Sequence, residues 1–149
     1  MSKFRFRFDR LIEVKEKLVE HKQREMERTA AEAVALAEEA AAIGREISGH
    51  YEEMASRCIP GEEFSMLLGS VLYLDVQKAA ALKEKANREA RVDALRAELV
   101  GLMVELQVLD KLKIKAFRAA KKVLARKEQK LMDAMAARTA GAQDQRGTA

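Results

Sequence analysis

The residues that could do chemistry are few, and they lie far apart in the chain. His21, His50 and Cys58 are the two histidines and the one cysteine. Zinc sites gather about four ligands, mostly His and Cys, at short spacing, and because no such cluster is present we expect no bound metal. Cys58 has no neighbouring histidine that could activate its thiol, so we interpret it as a small buried side chain.

Motifs that mark known active sites are also missing from the sequence. There is no phosphate-binding loop, no dinucleotide-binding fingerprint and no nucleophile elbow. We therefore predict that the chain is not an enzyme and has no catalytic residue, no cofactor and no small-molecule substrate. Its expected function is to bind other macromolecules.

The composition indicates which elements must carry those binding surfaces. Of 149 residues, 48% are apolar and 35% charged, only 5% are aromatic, tryptophan is absent and proline occurs once. This balance is typical of long helices that bury a narrow seam rather than a thick core. No apolar run approaches the roughly 20 residues that would span a bilayer. A lone cysteine does not suggest an oxidising compartment, so we expect a cytoplasmic protein.

A single strong helix breaker divides the chain. Ile59-Pro60-Gly61 combines a residue that disrupts helices with one that favours turns, and two glutamates follow where a new helix would begin. The expected domain covers residues 1–138, with helix one over 8–57, a turn over 58–61 and helix two over 62–138. The small, polar residues 139–149 are expected to be a disordered tail.

Apolar residues alternate spacings of three and four along both predicted helices, and this is the repeat of a coiled coil. In helix two the stripe is Phe64, Leu67, Val71, Leu74, Lys78, Ala81, Lys85, Arg88, Val92, Leu95, Leu99, Leu102, Leu106, Leu109, Lys113, Ala116, Ala120 and Val123. In helix one it is Met26, Thr29, Ala33, Leu36, Ala40, Ile43, Ile47, His50 or Tyr51, Met54 and Cys58. We predict an all-α fold in which two long helices form an antiparallel coiled-coil hairpin, monomeric when free. The alternative is a dimer whose seam forms between chains.

The middle of this seam is expected to pack loosely. Alanines bury little area, and buried cations destabilise a seam unless they are paired. Glu32 and Glu39 are the expected partners of the cations. The facing residues are Ala33, Leu36 and Ala40 of helix one and Lys78, Ala81, Lys85 and Arg88 of helix two.

The N-terminus concentrates three of the five phenylalanines, Phe4, Phe6 and Phe8, with an arginine between each two of them. We interpret them as an anchor onto helix two near Phe117, with a membrane-surface role as the alternative.

A second feature is an apolar stripe beyond the seam, Leu68, Leu72, Tyr73 and Val76. We interpret this stripe as a partner-binding surface, unless helix one or the turn covers it.

Charge is unevenly distributed along the chain. Residues 111–130 hold nine basic side chains and one acidic one, whereas residues 30–63 hold eight acidic and two basic ones. A hairpin would therefore be a charged rod with basic and acidic ends. The basic segment could be a solvated face, a nucleic-acid-binding surface or a surface that docks into an acidic protein cavity, and its charge alone does not choose among them.

The N-terminal sequence KFRFRFDRLIEVKEK, residues 3–17, resembles the opening of the flagellar export protein FliJ family. The resemblance implies an antiparallel two-helix stalk, similar to the gamma subunit of rotary ATP synthases. It implies a cytoplasmic component of the flagellar type III export apparatus, peripherally associated with the inner membrane at the flagellar base. Its implied partners are the hexameric export ATPase (FliI-like), whose activity it promotes, the cytoplasmic domain of the export-gate membrane protein (FlhA-like), and export chaperones.

By the same resemblance, two sets of residues are expected to bind these partners. The expected export-gate residues are Ile43, Ile47, Tyr51, Leu68, Leu72, Tyr73 and Val76. The expected ATPase-ring residues are Arg5, Arg7, Arg10, Lys111, Lys113, Lys115, Arg118, Lys121 and Lys122. The alternatives are the equivalent stalk of a virulence type III secretion system and a basic coiled coil that binds nucleic acid or acts as a structural spacer.

Overall fold

A computed structural model describes residues 3–147 as two long helices joined by a short turn. Helix α1 is Asp9–Ser56 and helix α2 is Gly61–Gly147, and no strand occurs between residues 3 and 147. The two helices pack against each other, which confirms the predicted all-α helical hairpin. The predicted starts, residues 8 and 62, and the predicted end of helix one at residue 57 each lie within one residue of the observed boundary.

The start of α1 is set by Asp9. The Asp9 amide donates to the Phe6 carbonyl (3.2 Å), and the Phe6 amide donates to the Asp9 carboxylate (3.3 Å). The first bond of the helix ladder follows, from the Ile12 amide to the Phe8 carbonyl (3.0 Å). An acidic side chain in the first turn also interacts favourably with the positive end of the helix dipole.

The turn between the helices is closed by one arginine. Arg57 pairs with Glu53 near the end of α1 (2.9 Å) and with Glu63 in the first turn of α2 (2.7 Å). Pro60 supplies the carbonyl that accepts the first ladder bond of α2, from the Phe64 amide (3.0 Å).

Cys58 lies in this turn and is exposed, so our interpretation of it as a buried seam residue was wrong. The reason is that the helix ends at Ser56, before the heptad would turn residue 58 towards α2.

Helix α2 continues beyond the predicted boundary at residue 138. Residues 139–147 are helical where the sequence led us to expect disorder, and residues 148 and 149 lie outside the described part of the chain. The Thr139 hydroxyl is placed to donate to the carbonyls of Met135 (3.0 Å) and Ala136 (2.9 Å), which keeps this polar side chain within the helix. The segment contains no proline, and its alanine, glutamine and arginine residues favour helix.

The structure divides into two compact units, and each helix contributes to both. Among the described residues, one unit is residues 17–102, and the other combines residues 3–16 with residues 103–147. The single domain that we predicted over residues 1–138 stays a prediction.

In the unit of residues 17–102, the buried side chains lie on the predicted stripes. Ile47, Val71 and Leu74 form its hydrophobic cluster, against which Ile43 and Met54 pack. The buried residues are Thr29, Ala33, Ala40 and Ile47 of α1 and Val71, Leu74, Ala81, Leu95 and Leu99 of α2. Phe64, which we placed at the start of the stripe, is exposed, because α1 ends before it could cover that ring.

Two of the three predicted cations of the middle seam, Lys85 and Arg88, form ion pairs. Arg88 lies 3.0 Å from Glu32 across the helices and 3.2 Å from Glu84 on its own helix. Lys85 lies 3.6 Å from Glu89. The expectation for Glu32 is therefore confirmed, whereas Glu39 is exposed and the nearest acid to Lys85 is on its own helix. Looser packing of this middle region stays a prediction.

In the unit that holds the N-terminus, the anchor is in place. The rings of Phe4 and Phe117 meet edge to face with centroids 5.3 Å apart, which confirms the predicted anchor for Phe4. Phe6 and Phe8 instead pack edge to face on each other (5.6 Å), and Phe8 is exposed. Ile12 is buried, and Lys15 pairs with Glu105. From residue 117 to residue 147 every side chain of α2 is exposed, including the predicted stripe residues Ala120 and Val123.

Candidate partner-binding surfaces

The first candidate surface is an uncharged stretch at the start of α2. Residues 64–74 contain no charged side chain, yet most of them face solvent. Leu68, Leu72 and Val76 recur every fourth residue, so they line one side of the helix. Leu72 is 59% exposed and Val76 69%, values that an isolated apolar residue could show but a contiguous group seldom does. We call Leu68, Leu72, Tyr73 and Val76 the apolar stripe.

The apolar stripe is not covered within residues 3–147. Neither α1 nor the turn folds over it, so the two alternatives in which they hide it are wrong. Tyr51 of α1 is also exposed, by 52%. Five of the seven expected export-gate residues are therefore available to a partner. They are Tyr51, Leu68, Leu72, Tyr73 and Val76.

The other two expected gate residues belong to the seam. Ile47 is buried against Val71 and Leu74, and Ile43 is half-buried beside them. Their heptad positions turn them towards α2, and a partner could not reach Ile47 without separating the helices. They support the surface from beneath rather than forming it.

Sequence reasoning missed one residue of this surface. Met66 is 75% exposed, more than any residue of the apolar stripe. It does not belong to the repeat at every fourth residue. The signal that could have identified Met66 is the uncharged run over residues 64–74, because a solvated helix face normally carries charged side chains.

Hydrogen bonding and charge shape the surroundings of the stripe. The Gln77 amide donates to the Tyr73 hydroxyl (2.8 Å), which orients the phenol while it remains exposed. Glu62 and Glu63 precede the stripe and Asp75 lies within it, so the surface is apolar with acidic neighbours. Arg57 offsets part of that charge through its pairs with Glu53 and Glu63. Such a surface suits a partner that is apolar and basic.

The second candidate surface is basic and lies in the unit that holds both termini. Most of the expected ring residues are exposed there, and the Arg7 guanidinium lies 5.5 Å from the Phe8 ring centroid. These exposed residues are Arg5, Arg7, Arg10, Lys111, Lys115, Arg118, Lys121 and Lys122.

Lys113 differs from the other expected ring residues. It is half-buried at a seam position, and its ammonium lies 2.7 Å from the Asp9 carboxylate. The hydrogen bond from Lys113 is the main cause that lowers the pKa of Asp9, and the same bond raises the pKa of Lys113. Because Lys113 already pairs with Asp9, we remove it from the residues that are available to bind a partner.

Ion pairs also connect the helices in the unit of residues 17–102. Lys22 pairs with Glu98, and Arg91 lies 2.9 Å from Glu25. The hydrogen bond from Lys22 is the main cause that lowers the pKa of Glu98. The hydrogen bond from Arg91 likewise lowers the pKa of Glu25, and that pair raises the pKa of Arg91.

These pairs describe the register of the antiparallel packing. Lys22 of α1 pairs with Glu98 of α2. Glu32, which follows Lys22 in α1, pairs with Arg88, which precedes Glu98 in α2 by the same number of residues. Because the signs are mixed along each helix, a slip of one heptad would bring Lys22 beside Arg91 and oppose like charges. The pairs therefore favour one register over its neighbours.

Between residues 3 and 147, no three His, Cys, Asp or Glu side chains are grouped closely enough to hold a metal ion. Over the same residues, neither helix has an apolar run that could cross a membrane.

Comparison with known proteins gives one match. A family model described as "Flagellar FliJ protein" matches residues 4–145, which is nearly the whole chain. No curated protein and no solved structure matches it.

Proposed function

Because the chain belongs to the FliJ family of flagellar export proteins, we propose that it binds the hexameric export ATPase, promotes ATP hydrolysis and couples it to the export gate. Membership in the family supports a stalk role in a flagellar-type export apparatus. The match over residues 4–145 is the observation that carries the proposal. The two-helix hairpin and the separate basic and apolar surfaces are consistent with it.

The proposed ATPase contact is the basic surface near the termini. Its exposed cations lie on α2, at the start of α1 and in the segment that precedes α1. They are not used in the seam, so they can pair with acidic groups on a ring. Charge complementarity of this kind speeds association and selects the orientation of docking. The residues of this proposed contact are Arg5, Arg7, Arg10, Lys111, Lys115, Arg118, Lys121 and Lys122.

The proposed export-gate contact is the apolar stripe together with Tyr51. Docking would remove exposed leucine, valine and tyrosine side chains from water, which is the main source of affinity at such a surface.

Export chaperones are further proposed partners, and the proposed location is the cytoplasm, at the inner membrane beneath the flagellum. In this function the chain acts by binding and is not an enzyme.

The proposed mechanism is coupling by a shared ligand. A single asymmetric helix pair cannot contact six identical subunits in the same way, so it binds some nucleotide states of the ring better than others. A ligand with such differential affinity shifts the populations of those states. Engagement of the same chain by the export gate would then be linked to turnover in the ring.

The test of the ATPase contact measures phosphate release. We expect the purified export ATPase of the same organism to hydrolyse ATP faster when the full chain is added. Lys115→Glu combined with Lys122→Glu should reduce this stimulation, because both exposed cations are reversed. Lys83→Glu, an exposed reversal elsewhere on α2, is the matched control. Neither stimulation nor co-elution with the ATPase would overturn the proposal.

The gate contact needs its own measurement, by calorimetry with the cytoplasmic domain of the export-gate protein. Leu72→Asp should weaken binding because it places a carboxylate in the apolar stripe. Val100→Asp is a suitable control, since Val100 is exposed to nearly the same degree, 58% against 59%. Equal affinities of the two variants would exclude the apolar stripe as the contact.

A further inference from the structure

A second line of apolar side chains runs along α2 after the N-terminal anchor. Phe117, Leu124, Leu131 and Met135 are each more than half exposed. At about 100° per residue, the four lie within an arc of about 40° on one side of the helix. We call them the terminal apolar line. Phe4 covers one edge of Phe117.

Two lysines flank the terminal apolar line. By the same helical geometry, Lys121 and Lys127 lie about 60° to either side of it. A shallow groove of about 560 Å³ begins at the N-terminal half of the line, and its lining includes Phe4, Phe117 and Leu124 together with Lys3, Lys121 and Lys127. Lysine side chains placed in this way can keep their ammonium groups in a polar layer while the apolar residues enter a less polar one.

The surrounding field is strongly positive. Residues 111–130 contain nine basic side chains and one acidic one, and only Lys113 among the nine is neutralised across the helices, by Asp9. The positive charge continues round the helix through Lys115, Lys122 and Arg126, which lie opposite the line. A protein partner that fits the groove would contact only one face of the helix. A planar anionic surface would also attract the cations on the other faces that lie within about 10 Å of it.

We propose that residues 117–135 of α2 bind an anionic phospholipid surface. Phe117, Leu124, Leu131 and Met135 enter the boundary between headgroups and acyl chains, and Lys121 and Lys127 contact the lipid phosphates. The helix lies in the plane of the interface, as amphipathic basic helices do. The lipid contact shares Lys121 with the proposed ATPase contact, whereas the terminal apolar line lies on the opposite side of the helix from Lys115 and Lys122. Leu124, Leu131 and Lys127 belong to the lipid contact alone, so their variants distinguish the two proposals.

Other occupants fit the same observations less well. A second copy of the chain would bring two strongly basic segments together, which is unfavourable. Nucleic acid offers phosphates but no apolar layer for Leu124, Leu131 and Met135, and no row of aromatic rings is available for stacking on bases. An acidic protein helix would cover the terminal apolar line but not the cations behind it.

The direct test is sedimentation of the full chain with lipid vesicles. We expect the chain to pellet with phosphatidylcholine vesicles that contain phosphatidylglycerol and to stay in solution with phosphatidylcholine alone. Raising the salt from about 0.1 M to about 1 M shortens the screening length from about 10 Å to about 3 Å and should release most of the bound protein. Absence of pelleting with the anionic vesicles would overturn the proposal.

Two double variants separate the apolar contribution from the electrostatic one. Lys121→Glu with Lys127→Glu should weaken vesicle binding at least about tenfold, because each basic residue near an anionic surface contributes measurably to affinity. Leu124→Ser with Leu131→Ser should also weaken binding, although the charge is unchanged. These side chains are exposed, so the changes leave the seam intact. Lys83→Glu is the control for charge and Val100→Ser the control for apolar loss.

A fluorescence measurement tests the depth of insertion. The chain has no tryptophan, so Leu131→Trp introduces a single reporter within the terminal apolar line. Its emission should shift to shorter wavelength when phosphatidylglycerol vesicles are added and remain unchanged with phosphatidylcholine alone. Binding without an emission shift, or undiminished binding of the double serine variant, would contradict insertion of the line and leave only surface adsorption.

Discussion

The Lys113 ammonium lies 2.7 Å from the Asp9 carboxylate, and the same carboxylate accepts a hydrogen bond from the Phe6 amide. One side chain therefore both completes the first turn of α1 and pairs with a cation at a seam position of α2. This relationship places the start of α1 opposite a defined point on α2. It also explains why a lysine is tolerated on the heptad stripe.

Removing that carboxylate should lower thermal stability. Asp9→Asn retains the size of the side chain but loses the ion pair and the favourable charge at the helix start. We expect a lower melting temperature by circular dichroism and faster amide exchange at residues 9–12. Asp75→Asn, at an exposed position within α2, is the control. Equal melting temperatures of the two variants would show that the Asp9 pair contributes nothing measurable.

Acid should destabilise the helix pair through three carboxylates. The pKa values of Asp9, Glu25 and Glu98 are lowered from their ordinary values of 3.8 for Asp and 4.5 for Glu, mainly by hydrogen bonds from Lys113, Arg91 and Lys22 respectively. A lowered pKa in the folded state means that the stabilisation is fully present above the unfolded pKa. It is lost as the pH falls through the folded pKa.

Urea unfolding at a series of pH values measures this dependence. We expect the free energy of unfolding to be level above about pH 5.5 and to decrease below about pH 4.5. A variant with Asp9→Asn, Glu25→Gln and Glu98→Gln should show a shallower decrease over the same range, because these three groups no longer titrate. If the variant and the native chain decrease in parallel, other groups carry the acid sensitivity.

The best-packed position of the seam is Leu95. Its side chain is completely buried, whereas Leu72 on the same helix is 59% exposed. Leu95→Ala should reduce the free energy of unfolding by about 2–4 kcal/mol, because it removes buried methyl groups and leaves a cavity. Leu72→Ala should change it by less than about 0.5 kcal/mol. Similar losses from both changes, measured by urea unfolding, would mean that the stripe is covered or that the seam at Leu95 is open.

The middle of the unit of residues 17–102 should open more readily than its better-packed parts. Ala33, Ala40 and Ala81 are buried there but contribute little apolar area, and the neighbouring seam positions are held by Lys78, Lys85 and Arg88. Hydrogen exchange should therefore be faster at residues 78–88 than at residues 95–109. Equal protection of the two segments would contradict a looser middle region.

The elements and the seam could be predicted from the sequence alone. The spacing of three and four places Val71, Leu74, Leu95 and Leu99 on one side of a helix whatever the partner is, because that spacing matches the helical repeat. Pro60 prevents one helix from continuing through this segment by its own stereochemistry, and α2 begins at the next residue. The density of Lys and Arg over residues 111–130 marks a basic surface without any knowledge of the fold.

The availability of each side chain was decided only by the packing of α1 against α2. Ile47 and Leu72 are both apolar helix residues, yet Ile47 meets Val71 in the seam while Leu72 faces solvent, because two helices can cover only one stripe of each other. In the sequence Lys113 was one of the nine basic residues of segment 111–130, and its pair with Asp9 exists only at the observed register. Likewise Cys58 is exposed because α1 ends at Ser56. The terminal apolar line is more than half exposed because the N-terminal segment, through Phe4, covers only one edge of Phe117.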